Sequence, residues 1–346
     1  MTAATDDTSA VGLADSPAAA QLDVKNLCVH FFTREGTVQA VDGVSFHLAP
    51  GQTLGVVGES GCGKSVTSLS ILQVVQPPGR IVGGKILWQR THGGVVDICS
   101  LAPRGKEVQS IRGSEIAMVF QEPMTSFSPV YTIGFQIMEV IIRHQRVGKK
   151  EARDRAIEML AKVGFPAPAE RVDNYPHQLS GGLRQRAMIA MAISCQPRLL
   201  IADEPTTSLD VTVQAQILEL MRMLRLEMGM SILLISHNFG VINELADRVA
   251  VMYLGQIVEQ AEVREALDAP LHPYTRALLR SVPVLGANVR ERLNPVEGTV
   301  PLAINLRPGC RFASRCRERM TICGSEDPPM REVQPGHHVR CWLYNR

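Results

Sequence analysis

Gly58-Glu59-Ser60-Gly61-Cys62-Gly63-Lys64-Ser65 matches the pattern G-x-x-x-x-G-K-[ST] at every fixed position, and no other feature limits the fold of this chain as strongly. The run TLGVVG (Thr53 to Gly58) predicts a buried strand that leads into the loop, and a helix is predicted to start near Lys64. Glycines let the backbone wind tightly enough to aim successive N–H groups at phosphate oxygens, and a helix N-terminus adds partial positive charge. The pattern therefore predicts an α/β fold with a phosphate-binding loop. Gly58, Ser60, Gly61, Cys62, Gly63, Lys64, Ser65 and Val66 are expected to contact a nucleoside triphosphate, Lys64 reaching the β- and γ-phosphates and the Ser65 hydroxyl ligating Mg²⁺.

A second segment supplies the carboxylates that such a site needs. Leu199 to Glu204 (LLIADE) is an apolar strand ending in two acids. Asp203 is expected at the metal, and Glu204 is expected to polarise the attacking water as general base. A helix over Val211 to Glu227 and a strand over Ile232 to Ile235 follow, a βαβ rhythm that implies a parallel sheet. Upstream, LDVKNLCVHF and AVDGVSF predict two strands joined by a turn at Glu35-Gly36. Between Ile81 and Phe120 strand-like pieces (KILW, VVDICSL, EIAMVF) alternate with glycine and proline breaks. Apolar residues at helical spacing (Ile133, Ile137, Val140, Ile141; Ala156, Met159, Leu160, Val163) predict two helices between Thr132 and Gly164. After Asp268 prolines punctuate a stretch with little sustained periodicity, which places a domain boundary near 268–285.

Composition narrows the partners. Thirty-six basic and 34 acidic residues leave a net charge of +2, too small to draw the chain to nucleic acid, and 45% hydrophobic content supports a packed core. The most apolar runs, Ala187 to Ser194 and Ser231 to Ser236, fall far short of the ~20 residues that cross a bilayer. Residues 1–20 are acidic and rich in small side chains, without the basic and apolar regions of a secretory signal, and are expected to form a disordered tail on a chain that stays in the cytoplasm.

Of the eight cysteines, Cys28, Cys62, Cys99 and Cys195 are scattered, whereas Cys310, Cys316, Cys323 and Cys341 crowd the C-terminal end. Inside a cell such a group points to metal before disulfide. The spacing C-x5-C-x6-C-x17-C suits a [4Fe–4S] cluster or one tetrahedral Zn²⁺, and the lack of a C-x2-C pair argues against a zinc ribbon. His337 and His338 could substitute as ligands but read first as surface histidines, and free or disulfide-linked cysteines are the remaining reading of the group. Cys62 lies near a helix N-terminus, where a thiol pKa can fall, but it reads first as a small loop residue with incidental reactivity, and bound ATP is expected to shield it from alkylation.

Leu179-Ser180-Gly181-Gly182-Leu183-Arg184-Gln185-Arg186 resembles the signature motif of ATP-binding cassette (ABC) nucleotide-binding subunits, and with the phosphate loop it carries a resemblance running from Leu22 to about Ala266. The resemblance implies a P-loop NTPase ABC cassette: a RecA-like core, an antiparallel β-subdomain and a helical subdomain inserted at about 122–185. It makes Gln121 the Q-loop glutamine that senses Mg²⁺, Ser208-Leu209-Asp210 the D-loop, and His237 the switch histidine beside the γ-phosphate. Phe31 or Phe32 falls where the family stacks adenine. Ser180, Gly181 and Gly182 would cover the γ-phosphate of ATP held by a second cassette, so that two ATP molecules lie head to tail between two chains. Leu183 stands where many members carry Gln.

The C-terminal segments His272 to Leu279 (HPYTRALL) and Gly309 to Cys316 (GCRFASRC), with Cys323, Cys341 and the stretch QEPMTSFSPVYTIG (Gln121 to Gly134), resemble the dipeptide and oligopeptide permease ATPases. Relatives of that subfamily handle peptides, nickel, glutathione and sugars. The resemblance implies a nucleotide-binding domain over 21–270 and a cysteine-containing C-terminal extension over 271–346. It also implies a related second ATPase subunit, two transmembrane permease subunits, an extracytoplasmic substrate-binding protein, and a place on the cytoplasmic face of the membrane. Two rivals are a soluble ABC ATPase acting on DNA or ribosomes and a regulatory subunit with a dead nucleotide site. The first expects paired cassettes, long coiled coils or a basic patch, and the second expects loss of Lys64, Glu204 or His237.

Overall fold

The computed structural model describes residues 20–122, 126–281, 298–301 and 303–345. The tail expected over residues 1–20 lies, up to residue 19, outside the described residues, as do Pro283 and Pro295.

Two sheets organise the chain. Strands β1 (Leu22–Thr33) and β2 (Gly36–Leu48) pair antiparallel about the predicted turn, with Thr33 opposite Gly36. With β4 (Gly79–Gln89) and β5 (Val95–Asp97) they form a four-stranded sheet in the order β2-β1-β4-β5. Its buried face, including Leu22, Leu27, Ile86 and Trp88, packs with Leu54, Val56, Leu199 and Leu233 of the larger sheet.

That larger sheet takes β3 (Thr53–Val57), β6 (Ile116–Val119), β7 (Leu199–Asp203), β8 (Ser231–Ser236), β9 (Arg248–Tyr253), β10 (Gln256–Glu262), β11 (Met330–Gln334) and β12 (His337–Arg340) in the order β11-β12-β10-β9-β3-β8-β7-β6. The five strands β9, β3, β8, β7 and β6 are parallel, and every residue of β3, β7 and β8 is buried. Parallel strands covered on both faces read as unbroken apolar runs, which is why these were the easiest to see in the sequence. Their C-terminal ends deliver Gly58, Asp203-Glu204 and His237 to one edge, the end of an α/β sheet at which ligands bind.

Helices α1 (Lys64–Ile71), α2 (Lys106–Ile111), α3 (Ile133–Gln145), α4 (Lys149–Lys162), α5 (Pro168–Arg171), α6 (Gly181–Ile193), α7 (Val211–Met228), α8 (Phe239–Leu245), α9 (Val263–Asp268) and α10 (Pro273–Arg280) complete the described elements, with short 3₁₀ turns. Of the eight apolar positions that predicted α3 and α4, all but Val140 are buried, packed in one cluster with Ile189 and Ile193 of α6.

The region after Asp268 is more ordered than its sequence suggested. His272 caps α10 by accepting from the Tyr274 N–H at 3.0 Å, with Pro273 in the first turn. The hairpin β11–β12 then continues the large sheet antiparallel to β10, Glu259 opposite Val339. Strands of four and five residues are too short to show a period, and β11 is mostly exposed.

The join is sealed by a buried carboxylate. Glu259, wholly buried, accepts from the N–H groups of Leu271 (2.8 Å) and His272 (2.9 Å) and contacts His337 Nε2 at 2.8 Å. Burial pushes the Glu259 carboxyl up, but these hydrogen bonds outweigh it and hold it below its ordinary value. Burial pushes His272 down to about 4, the nearby Glu259 opposing and Arg276 adding. Both folded pKa values are depressed, so the stability they contribute is present above the unfolded values and is lost as pH falls. For His272 the window runs from 6.5 down to about 4, worth about 3 kcal/mol. Thermal unfolding followed between those pH values should show a falling Tm, and His272→Asn should flatten that part of the slope.

Candidate nucleotide site

The loop Gly58–Ser65 connects β3 to α1 as expected, and its shape depends on two glycines. A Cβ at Gly58 would lie 2.1 Å from the Met252 carbonyl oxygen, and one at Gly63, which has φ +105°, would lie 2.2 Å from the Ala40 oxygen. Either position rejects a side chain. Lys64 is buried and turned back into the loop, its Nζ donating to the carbonyls of Gly58 (2.8 Å) and Glu59 (3.1 Å). That places its charge where the loop encloses an anion. The Ser65 hydroxyl donates to Asp203 Oδ1 at 3.1 Å, so the first turn of α1 and the end of β7 already share the two side chains expected at Mg²⁺. Burial pushes the Asp203 carboxyl up, Glu204 adding and the Ser65 hydrogen bond and Lys64 opposing, which leaves a buried acid that gains from a cation.

Glu204 is the hub beside it. Its Oε2 accepts from the Thr207 hydroxyl at 2.9 Å and the Gln121 amide at 3.2 Å, and lies 3.1 Å from His237 Nδ1. Its own turn and two segments distant in sequence therefore converge on one oxygen. Glu204 has φ +48°, in the left-handed region, held by its N–H to Ile235 O at 2.9 Å. A glutamate kept there costs about 1–3 kcal/mol, and such strain gathers at functional sites. Gln121 meets Glu204 rather than Asp203, and Thr207 was not singled out from the sequence. A Thr three residues beyond an acid at a strand end was the available signal.

The signature segment lies elsewhere. Ser180 caps α6, its hydroxyl accepting from the Leu183 N–H at 3.4 Å, and Asp210 caps α7 through the Val213 N–H at 2.9 Å. A Cβ on Gly182 would come within 2.8 Å of Val213 in α7, and one on Gly181 within 3.7 Å of Leu209, so the signature segment lies against the D-loop and the helix that follows it. Of the two candidate aromatics, Phe31 is half-buried, its ring 2.7 Å from where a Gly79 Cβ would stand. Phe32 is 49% exposed with Arg80 over its ring at 6.0 Å. Val66 is half-buried in the first turn of α1.

Cys62 is 1% exposed, and its burial raises the thiol pKa although Lys64 opposes, as suits a small loop residue rather than an activated thiol. The four C-terminal thiols do converge, since Cys310, Cys316, Cys323 and Cys341 line one cavity of about 10 Å³. Burial raises Cys310 to about 11, with the other three thiols adding. Yet among the described residues no three His, Cys, Asp or Glu side chains are spaced to hold a metal ion. The donor set fits a metal centre in kind and number, but a space for about one water is too small for a four-iron cluster, and the side chains are not gathered closely enough for a single ion. The expected [4Fe–4S] or Zn²⁺ site is thus not preformed. His337 is not the surface histidine expected: it is wholly buried against Glu259 and so is no substitute ligand either.

No helix among the described residues is long and apolar enough to cross a membrane. Residues 41–207 match the family model "ABC transporter", and residues 258–323 match "Oligopeptide/dipeptide transporter, C-terminal region". The oligopeptide transport ATP-binding protein AppD of Bacillus subtilis is 51% identical over 93% of this chain and 96% of its own length. The dipeptide transport ATP-binding protein DppD of the same organism is 48% identical over 94% and 95%. Among solved structures, the dimeric ATP-binding cassette MJ0796 bound to ADP and Pi superposes with a TM-score of 0.62 at 24% identity, covering 70% of this chain and 99% of that one. CbiO1 of Clostridium perfringens gives 0.59 at 23%, covering 72% and 92%. At those identities the structures speak for the cassette fold alone. The extent and identity of the sequence matches decide the rest: this chain belongs to the ATP-binding subunits of ABC transporters, in the oligopeptide/dipeptide branch.

Proposed function

We propose that the chain binds and hydrolyses MgATP to drive peptide import through membrane permease subunits. The observation that carries this reading is the joint placement of Lys64, the Ser65–Asp203 pair and the triply held Glu204 at the ends of adjacent parallel strands. In this mechanism the loop N–H groups and Lys64 bind the phosphates, and Ser65 and Asp203 would hold Mg²⁺, with Gln121 assigned as a further side chain for it. Glu204 takes a proton from the attacking water, and His237 supports the γ-phosphate. Mg²⁺ supplies charge neutralisation on the phosphate oxygens when bound.

Ser180, Gly181 and Gly182 are assigned to the ATP of a second, related cassette, with Asp210 at the interface between the two. Hydrolysis then resets a closed pair of cassettes. An aromatic of the Phe31–Phe32 pair stacks adenine. An extracytoplasmic binding protein supplies peptide, and the cassettes work on the cytoplasmic face. Support for peptide as cargo comes from AppD and DppD, whose names give oligopeptide and dipeptide transport. Purifying the whole membrane complex and identifying its subunits and the ligand on its binding protein by mass spectrometry tests this. Two permeases, a second cassette and bound peptides are expected; nickel, glutathione or an oligosaccharide in their place would replace the peptide reading.

The cysteine-containing extension over 271–346 is read as a unit that takes up a metal centre by opening around it. The four thiols on one cavity support this. Protein purified without air is expected to contain iron and acid-labile sulfide with broad visible absorption. Stoichiometric zinc would favour the alternative, and four titratable thiols without metal would end both.

A further inference from the structure

The two C-terminal motifs HPYTRALL and GCRFASRC meet on the phosphate loop. Arg315 reaches Glu59, the second residue of that loop, with both terminal nitrogens: Nη1 donates to Oε2 at 2.6 Å and Nη2 to Oε1 at 3.0 Å. Its side chain is only 4% exposed and stacks over Tyr253 (5.7 Å) and Phe312 (6.0 Å), with Nη1 also 3.3 Å from the Tyr253 hydroxyl. From the other motif, the fully buried Tyr274 accepts the Glu59 N–H on its hydroxyl oxygen at 2.9 Å. The Glu59 carbonyl takes Lys64 Nζ and the Cys62 N–H. Thus the N–H, the carbonyl and the carboxylate of Glu59 are all committed, two of the three to the C-terminal region.

A carboxylate in a loop that gathers phosphate anions is an electrostatic liability unless a cation answers it. Exposed ion pairs contribute little, but this one is two-pronged, nearly buried on the arginine side and backed by aromatic rings, so it fixes geometry as well as charge.

We propose that Arg315 and Tyr274 are positioning residues for the phosphate loop, which anchor and neutralise Glu59 so that the loop's N–H groups face the nucleotide, and so make the ATP site depend on the folded C-terminal region. The inference rests on the reading of Gly58–Ser65 as the ATP site. Neither residue touches nucleotide. Because the loop holds the phosphates in ground and transition states alike, loss of the anchor should act on KM and leave kcat nearly intact.

The test uses the full-length chain in its assembled transporter, with ATPase kinetics and equilibrium ATP binding. Arg315→Met should raise KM for MgATP about tenfold with kcat within about twofold. Arg315→Lys, which keeps the charge and loses the fork, should recover part of that, and Tyr274→Phe should raise KM less than Arg315→Met. A purely structural role would lower Tm and the active fraction while KM stays put, and that result overturns the proposal. If Arg315→Met fails to fold, Arg315→Lys decides: a raised KM supports the anchor and an unchanged KM overturns it. Should the unmodified chain bind no ATP, the reading of the loop as an ATP site has failed, a result separate from an unmoved KM in the variants.

Discussion

Glu204→Gln is expected to bind MgATP as the unmodified chain does and to hydrolyse it about a hundred- to ten-thousand-fold more slowly, the range that a positioned general base supplies. Gln keeps the size of the side chain and an oxygen able to accept from Thr207, His237 or Gln121, so the surroundings have little reason to rearrange. What it loses is the capacity to take a proton. The phosphate contacts of Lys64 and the Ser65–Asp203 pair are untouched. Single-turnover hydrolysis and ATP binding measured on the same preparation separate the two effects. Slow turnover with normal binding is the expected result, and unchanged turnover would remove Glu204 from the chemistry.

Lys64→Ala should act on the other half of the cycle. Its ammonium is buried and donates to two carbonyls of its own loop, bonds that a phosphate can take over without moving the lysine far. Losing charge-assisted hydrogen bonds to phosphate is worth about 2–3 kcal/mol, or about a hundredfold in affinity. The empty loop loses the same bonds, so the Gly58 carbonyl loses its lysine donor, the Glu59 carbonyl is left with the Cys62 N–H, and the variant should also melt earlier. Fluorescent-nucleotide titration should show the weaker binding, with AMP affected far less than ATP because only the longer chain of phosphates reaches Lys64. Equal losses for both nucleotides would count against that placement.

Much of the site was legible because its residues are tied to local patterns. Apolar runs closing on glycines or acids located β3 and β7, and with them Lys64, Asp203 and Glu204, while His237 after β8 came from the family resemblance. The helical period located α3 and α4. The illegible part is long-range. Glu59 and Arg315 are 256 residues apart, and Glu259 and His337 are 78 apart. Neither pair has a spacing that could announce it, and the hairpin β11–β12 is recognisable only by the edge it completes. Cys62 behaves as the small loop residue it was expected to be: proximity to a helix N-terminus lowers a thiol pKa, but its burial outweighs that. Likewise the cysteine spacing correctly brought four thiols to one cavity and could not give its size.

The C-terminal region thus has two kinds of link to the cassette. It adds strands to the central sheet through β10 and β12, and it holds the phosphate loop through Tyr274 and Arg315. The first contributes to stability. The second connects the region that matches the oligopeptide/dipeptide C-terminal model with the candidate nucleotide site.

Uptake of labelled peptide into sealed vesicles carrying the assembled transporter and its binding protein tests the central claim most directly. Accumulation above the outside concentration is expected only when hydrolysable ATP is present on the cassette side, with none supported by a non-hydrolysable analogue. Accumulation that proceeds equally with the analogue, or ATP hydrolysis that never yields uptake of any peptide, would contradict ATP-driven peptide import.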